Sequence, residues 1–240
     1  MNIFLVFAFL FFIGSLVGWV IELIWRRFFS KSNPNKIWIN PGFLTGPYLP
    51  LYGFSLCLLF SLSFINVAFI PITWLKAIAL FLIMALCITI LEYVAGIIFI
   101  KGLKIKLWDY SGCFGNISGI ICPQYSFYWI ILSGFYYFFI HPKILNWLYW
   151  FTGHLSFSFV IGFFYGIIFV DLLYTFKLSI KLRAFAKEKL TEIHYENLKT
   201  IFHTKYINLR QKSPFLFHLH KDKTLLVESL KELIKKKESD

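Results

Sequence analysis

Three carboxylates stand alone in the first 170 residues of this chain: Glu22, Glu92 and Asp109. Each lies in or beside a long apolar run, where an ionised side chain is costly. On insertion scales a charge at the bilayer centre costs about 2.5–3.5 kcal/mol. Glu22 precedes Arg26 by four residues, which places it near a membrane interface. Glu92 lies eight residues before Ile100, about 12 Å along a helix at 1.5 Å per residue. Asp109 sits in Lys106-Leu-Trp108-Asp-Tyr110-Ser111, an aromatic loop with Lys nearby. Two chemistries suit such acids. They bind a cation, a proton or a cationic group of a solute, or they work as an acid/base pair on a lipid headgroup, with Glu92 and Asp109 in those roles.

Two segments offer these acids partners. Asn40-Pro-Gly-Phe-Leu-Thr-Gly46-Pro47 and Asn116-Ile-Ser-Gly-Ile-Ile-Cys-Pro123 have the same spacing, with Asn seven residues before Pro. A Pro at a helix start leaves first-turn N–H groups unpaired and partly positive. Main-chain amides there are expected to cap Glu22 and Glu92. The Gly residues allow close backbone approach. Irregular backbone at membrane depth is tolerated where it lines a polar cavity. Asp171 also faces either that cavity or a base of the tail, with pairing to Lys177 favoured. His154 reads as a hydrogen-bonded structural residue. Most of the tryptophans (Trp19, Trp25, Trp38, Trp108, Trp129, Trp147) fall where interfacial belts are expected.

The elements that position these residues are membrane helices. The 240 residues are 58% hydrophobic and 15% charged, against about a quarter charged in soluble domains. Apolar runs near the twenty residues of a bilayer crossing predict about five spans, 3–25, 48–66, 74–100, 124–140 and 145–176. Residues 1–176 form the transmembrane domain. Residues 177–240 form a basic helical cytoplasmic tail, with amphipathic stretches at 178–209 and 225–237. The fold class is an all-α membrane protein. Its first four spans suggest a tandem two-helix repeat, each unit carrying one Glu, a basic loop and an Asn-to-Pro segment.

Charge sets the orientation. Arg26, Arg27, Lys31 and Lys36 follow the first span, and Lys101, Lys104 and Lys106 follow the third. The opposite loops carry only Lys76 and Lys143. The positive-inside rule puts the N-terminus outside and both basic loops, with the tail, in the cytoplasm. The net charge of +12 then belongs beside an anionic leaflet rather than on nucleic acid. Cys57, Cys87, Cys113 and Cys122 give no metal spacing, and His218 with His220 reads as a surface pair. No phosphate-binding loop of the Gly-x-x-x-x-Gly-Lys type, Gly-x-Ser-x-Gly or His-Glu-x-x-His occurs, so no cofactor or metal is expected and the reading leans away from an enzyme.

Ordered motifs complete the sequence evidence. Gly18-Trp19-x-x-Glu22, Asn40-Pro-Gly-Phe-Leu-Thr-Gly-Pro-Tyr48-Leu-Pro-Leu-Tyr-Gly53, Leu91-Glu92-Tyr93-x-x-Gly96, Trp108-Asp-Tyr-Ser111 and Asn116-Ile-x-Gly119 resemble the bacterial CmpB-type permease family, the putative ABC-transporter type IV proteins. The resemblance covers residues 10–140. It implies a multi-pass protein of the bacterial inner membrane, a permease-like subunit for a small solute, and a separate nucleotide-binding subunit as partner beside membrane lipids. It leaves a homo-oligomer and a non-catalytic assembly role open. Where the family carries Arg, this chain has Pro41 and Ile120. The candidate solute- or ion-binding residues are Glu22, Asn40, Gly46, Pro47, Tyr48, Glu92, Trp108, Asp109, Tyr110 and Asn116.

Overall fold

The computed structural model describes residues 2–30, 33, 36–65, 72–154, 156–188 and 193–194. The first helix, α1, runs over Ile3–Phe28; Asn2 caps its start and Arg26 and Arg27 complement its C-terminal dipole. Helix α2 is Pro50–Leu62, with Pro50 in its first turn. Helix α3 is Thr73–Ile97 and passes into a π-helical segment, Ile98–Leu103. That segment stops at Lys104, which takes a left-handed φ of 58°. Helix α4 is Pro123–Phe135, opened by Pro123. Helices α5, His141–Gly153, and α6, Ser156–Glu188, are the last of the described helices. A two-residue parallel pairing joins β1, Ile105–Lys106, to β2, Ile193–His194.

Among the described residues three helices are long and apolar enough to cross a membrane: Ile3–Phe28, Thr73–Leu103 and Ser156–Phe176. Large apolar side chains cover their outer faces, as at Val20, Leu86 and Phe163. The chain is thus an all-α membrane protein. Two boundaries differ from the sequence expectation. Of the expected span 48–66, the described part 48–65 is helical only over the 13 residues of α2, about 20 Å at 1.5 Å per residue. The expected helix 145–176 is also two helices, because the break falls at His154 and not near Lys143. Pro142 cannot donate to the carbonyl of Phe138, and the backbone absorbs this in a π-helical segment, Tyr136–Ile140, without ending the helix. The stop comes after Gly153, a residue type that favours helix C-termini. Helix α6 continues through 176–177 into the basic region; the tail stretch 225–237 and His218 and His220 lie outside the described residues.

Helices α1 and α2 pack closely because glycines on each helix leave room for side chains of the other. A Cβ on Gly18 would sit 2.2 Å from Cβ of Tyr52, and one on Gly53 would sit 2.3 Å from Oγ of Ser15. Gly14 and Gly18 form the small-xxx-small spacing that lets membrane helices touch. Helices α3 and α4 form the second pair, and just beyond α4 Phe138 of the π-helical segment Tyr136–Ile140 meets Phe81 of α3 edge to face. A core of Val6, Leu10, Leu59, Met84, Ile88 and Leu148 ties the pairs together at the N-terminal part of α1 and the middle of α3. Helix α6 leans on α1 through Phe12 and Phe164 and covers Leu44 and Tyr48.

Candidate functional site

The segments between α1 and α2 and between α3 and α4 fold back beside the helices they follow. The Leu49 N–H donates to the carbonyl of Ser15, halfway along α1. Ile120 packs on Gly96, seven residues before the end of the π-helical segment at Leu103. Non-helical backbone therefore lies alongside both long helices. In lipid this requires protein on every polar group. Asn40 supplies it in the first segment. Its carboxamide donates to the carbonyls of Leu44 and Thr45 and accepts from Gly42 N–H and from the indole of Trp19. Asn116 acts alike in the second, donating to Ser111 and Cys113 and accepting from Gly119 N–H. The two halves thus share the order helix, Asn-braced segment, Pro-led helix.

Between the halves lies a cavity of about 600 Å³. Of the predicted site residues it is lined by Glu22, Glu92, Trp108 and Tyr110. Glu22 pairs with Nε of Arg26 at 3.0 Å and accepts from the Tyr52 hydroxyl at 3.1 Å. Glu92 is 4% exposed; it accepts from the Trp129 indole at 2.9 Å and the Tyr110 hydroxyl at 3.2 Å. Side-chain donors and not main-chain amides answer these carboxylates, which corrects the capping expectation. The reason is register. The start of α2 sits beside Gly18 and the segment leading into α4 beside Gly96, and the donors at the height of the two Glu are side chains, Arg26 and Tyr52 at Glu22 and Trp129 and Tyr110 at Glu92. Burial, then the negative charges of Glu92 and Glu22, pushes the Tyr110 phenol well above its ordinary value, so it remains a donor.

The amides of the first segment go instead to Asp171. Its carboxylate accepts from Thr45 N–H and hydroxyl, Gly46 N–H, the Tyr48 hydroxyl and, within α6, the Thr175 hydroxyl. Asp171 is buried under this shell, and the Lys177 side chain of the expected pairing lies outside the described residues. Gly46 and Tyr48 therefore clasp the segment to α6 rather than line the cavity, and Pro47 is exposed beside them.

Asp109 is also apart from the cavity. It is exposed, accepts from Ser111 N–H and lies 3.7 Å from the Lys106 ammonium. The paired acid/base arrangement of Glu92 with Asp109 is thus not formed. Pro41 is buried in the cavity wall, and Ile120 is packed against Gly96, its carbonyl accepting from the Trp108 indole. His154 bonds the Trp150 carbonyl through Nδ1 at 2.7 Å. None of the four cysteines is in a disulfide, and among the described residues no group of three or more His, Cys, Asp or Glu is placed to hold a metal.

Several lining residues escape the sequence reading. Tyr52 and Tyr125 each stand two residues after the Pro that opens their helix, a shared offset that marks them in retrospect. Trp25 and Trp129, read as belt residues, line the cavity. Tyr110 and Tyr125 stack at 4.1 Å with an interplanar angle of 10°, and Tyr128 meets both Tyr125 and Trp25 edge-on.

The family model described as Putative ABC-transporter type IV matches residues 9–176. The chain belongs to this family. As a type IV family member it is a multi-pass membrane protein of transporter type. The match takes in the whole cavity and Asp171, and ends where the basic tail begins. No curated protein and no solved structure matches the chain.

Proposed function

We propose that this chain is the membrane subunit of a small-solute transporter and that the cavity between its two helix pairs is the solute site. One observation carries this: two carboxylates from different helix pairs, Glu22 and Glu92, line a single cavity floored by non-helical backbone. Such backbone within a membrane protein belongs at binding sites and pathways. The apolar core of Val6, Leu10, Met84 and Ile88 closes the opposite side. The positive-inside rule makes the cavity end cytoplasmic in a bacterial inner membrane, with the N-terminus outside and the tail inside. A separate nucleotide-binding subunit docks at that face, since the chain has no phosphate-binding loop of its own.

The test is purification of the tagged chain from its native membranes in mild detergent. A nucleotide-binding protein and MgATPase activity are expected to copurify in fixed proportion, and the activity should respond to reconstitution in lipid. A chain that purifies without any ATPase across several detergents, while other transporters from the same membranes keep theirs, overturns the subunit reading.

A further inference from the structure

The charge balance of the cavity is uneven. Glu22 has a guanidinium partner in Arg26. Glu92 has none: among the described residues no Lys, Arg or His lies within ion-pair distance of it, and its bonds come from a phenol and an indole. A carboxylate offers about four acceptor sites, so two donors leave it capacity. An unpaired carboxylate at this depth is costly, and a bound cation removes the cost.

The surroundings select which cation. Hard ions such as Mg²⁺ or Ca²⁺ take six or more oxygen ligands, and Glu92 is set among rings. The rings of Tyr52, Tyr110, Tyr125 and Trp129 line the same space, and Tyr52 lies 5.4 Å from Trp129. Aromatic faces attract substituted ammonium groups, by about 0.5–2 kcal/mol each according to desolvation. Phe54, Val94 and Ile131 line the cavity too, and each is more than a third exposed. A hydrocarbon body fits there. The volume of about 600 Å³ suits one small organic molecule.

We propose that the cavity binds an amphipathic organic cation, its substituted ammonium head against Glu92 among the aromatic rings and its apolar body toward Phe54, Val94 and Ile131. This rests on reading the cavity as a solute site; it does not rest on transport.

The experiment uses the full chain in lipid nanodiscs with radiolabelled tetraphenylphosphonium as probe. Saturable binding is expected, displaced by hexyltrimethylammonium and not by hexanoate. Glu92→Gln should weaken binding about tenfold or more, the loss of roughly 1.4 kcal/mol or more. Glu22→Gln should have a smaller effect, because Arg26 already balances that charge. Tyr125→Leu, which leaves both carboxylates in place, should weaken binding about fivefold with an unchanged melting temperature. Wild-type affinity in Glu92→Gln, equal displacement by hexanoate, or no saturable binding overturns the proposal. Uptake by vesicles holding the chain and its ATPase separates the two readings. Glu92-dependent binding without ATP-driven uptake of any probe overturns the transporter reading alone. Uptake of an anionic solute by protein that fails to bind the cations overturns this proposal alone.

Discussion

Asp171 and Glu92 are both buried acids in apolar helices, yet their shells differ in kind. Asp171 accepts five hydrogen bonds, two from main-chain N–H and three from hydroxyls, and so has no capacity for a ligand. It is a structural pin between α6 and the segment 45–48. Hydrogen bonds to a charged group contribute about 1.5–3 kcal/mol each. Asp171→Asn keeps the shape but turns one oxygen into a donor facing donors. It should destabilise the protein by about 2–4 kcal/mol, and Tyr48→Phe by about 1–2 kcal/mol. Thermal unfolding in detergent measures both, and a melting temperature unchanged in Asp171→Asn would refute the pin. Glu92 holds only two donors, both on aromatic side chains that line the cavity. Its shell has room where that of Asp171 has none.

At the level of elements, the α1–α2 contact sets the geometry of the first half. Gly18 lies against Tyr52, and Tyr52 in turn bonds Glu22. A methyl at residue 18 would meet Cβ and Cγ of Tyr52 at 2.2 Å, well inside contact. Overpacking of this kind costs about 1–3 kcal/mol. Gly18→Ala should therefore lower the melting temperature and displace the Tyr52 hydroxyl from Glu22. Tyr52→Gly in the same chain removes both the obstructing Cβ and the ring and should restore part of the stability. A double variant whose loss equals the sum of the two single losses would show that the contact does not control the pairing. Helices α3 and α4 are held differently, through Ile120 on Gly96 and a Thr89–Ser126 hydroxyl contact of 3.4 Å. The deeper position of Glu92 relative to Glu22 follows from that difference. Glu22 stands four residues beyond Gly18 toward the end of α1, whereas Glu92 stands four residues before Gly96.

Across the whole molecule, access runs to one end. Val94 lines the cavity, whereas Met84 is fully buried in the core that closes the other side. With the four native cysteines replaced by Ala, Val94→Cys should react with a membrane-impermeant maleimide in inverted vesicles and not in right-side-out ones. Met84→Cys should react in neither. Labelling of Val94→Cys from the outside alone would reverse the orientation drawn from the basic loops. The same core that blocks passage in this conformation must rearrange for transport, and its side chains are all small or flexible aliphatics apart from a few rings such as Phe60 and Trp129.

The sequence by itself determined the helical membrane class and marked the basic loops and the two isolated carboxylates Glu22 and Glu92. These follow from composition, from charge in short loops and from the rarity of acids in apolar runs, all of which are local quantities. The paired Asn-to-Pro segments were legible for the same reason, because each Asn braces carbonyls only three to six residues away. Tertiary structure decided which donor meets which acid. Thr45 and Gly46 reach Asp171 across more than 120 residues of chain, and Trp129 reaches Glu92 across 37. No spacing rule encodes those distances, since they depend on how deeply each returning helix begins beside its partner. That depth is fixed by close contacts at Gly18 and Gly96, which arise only when the helices are packed.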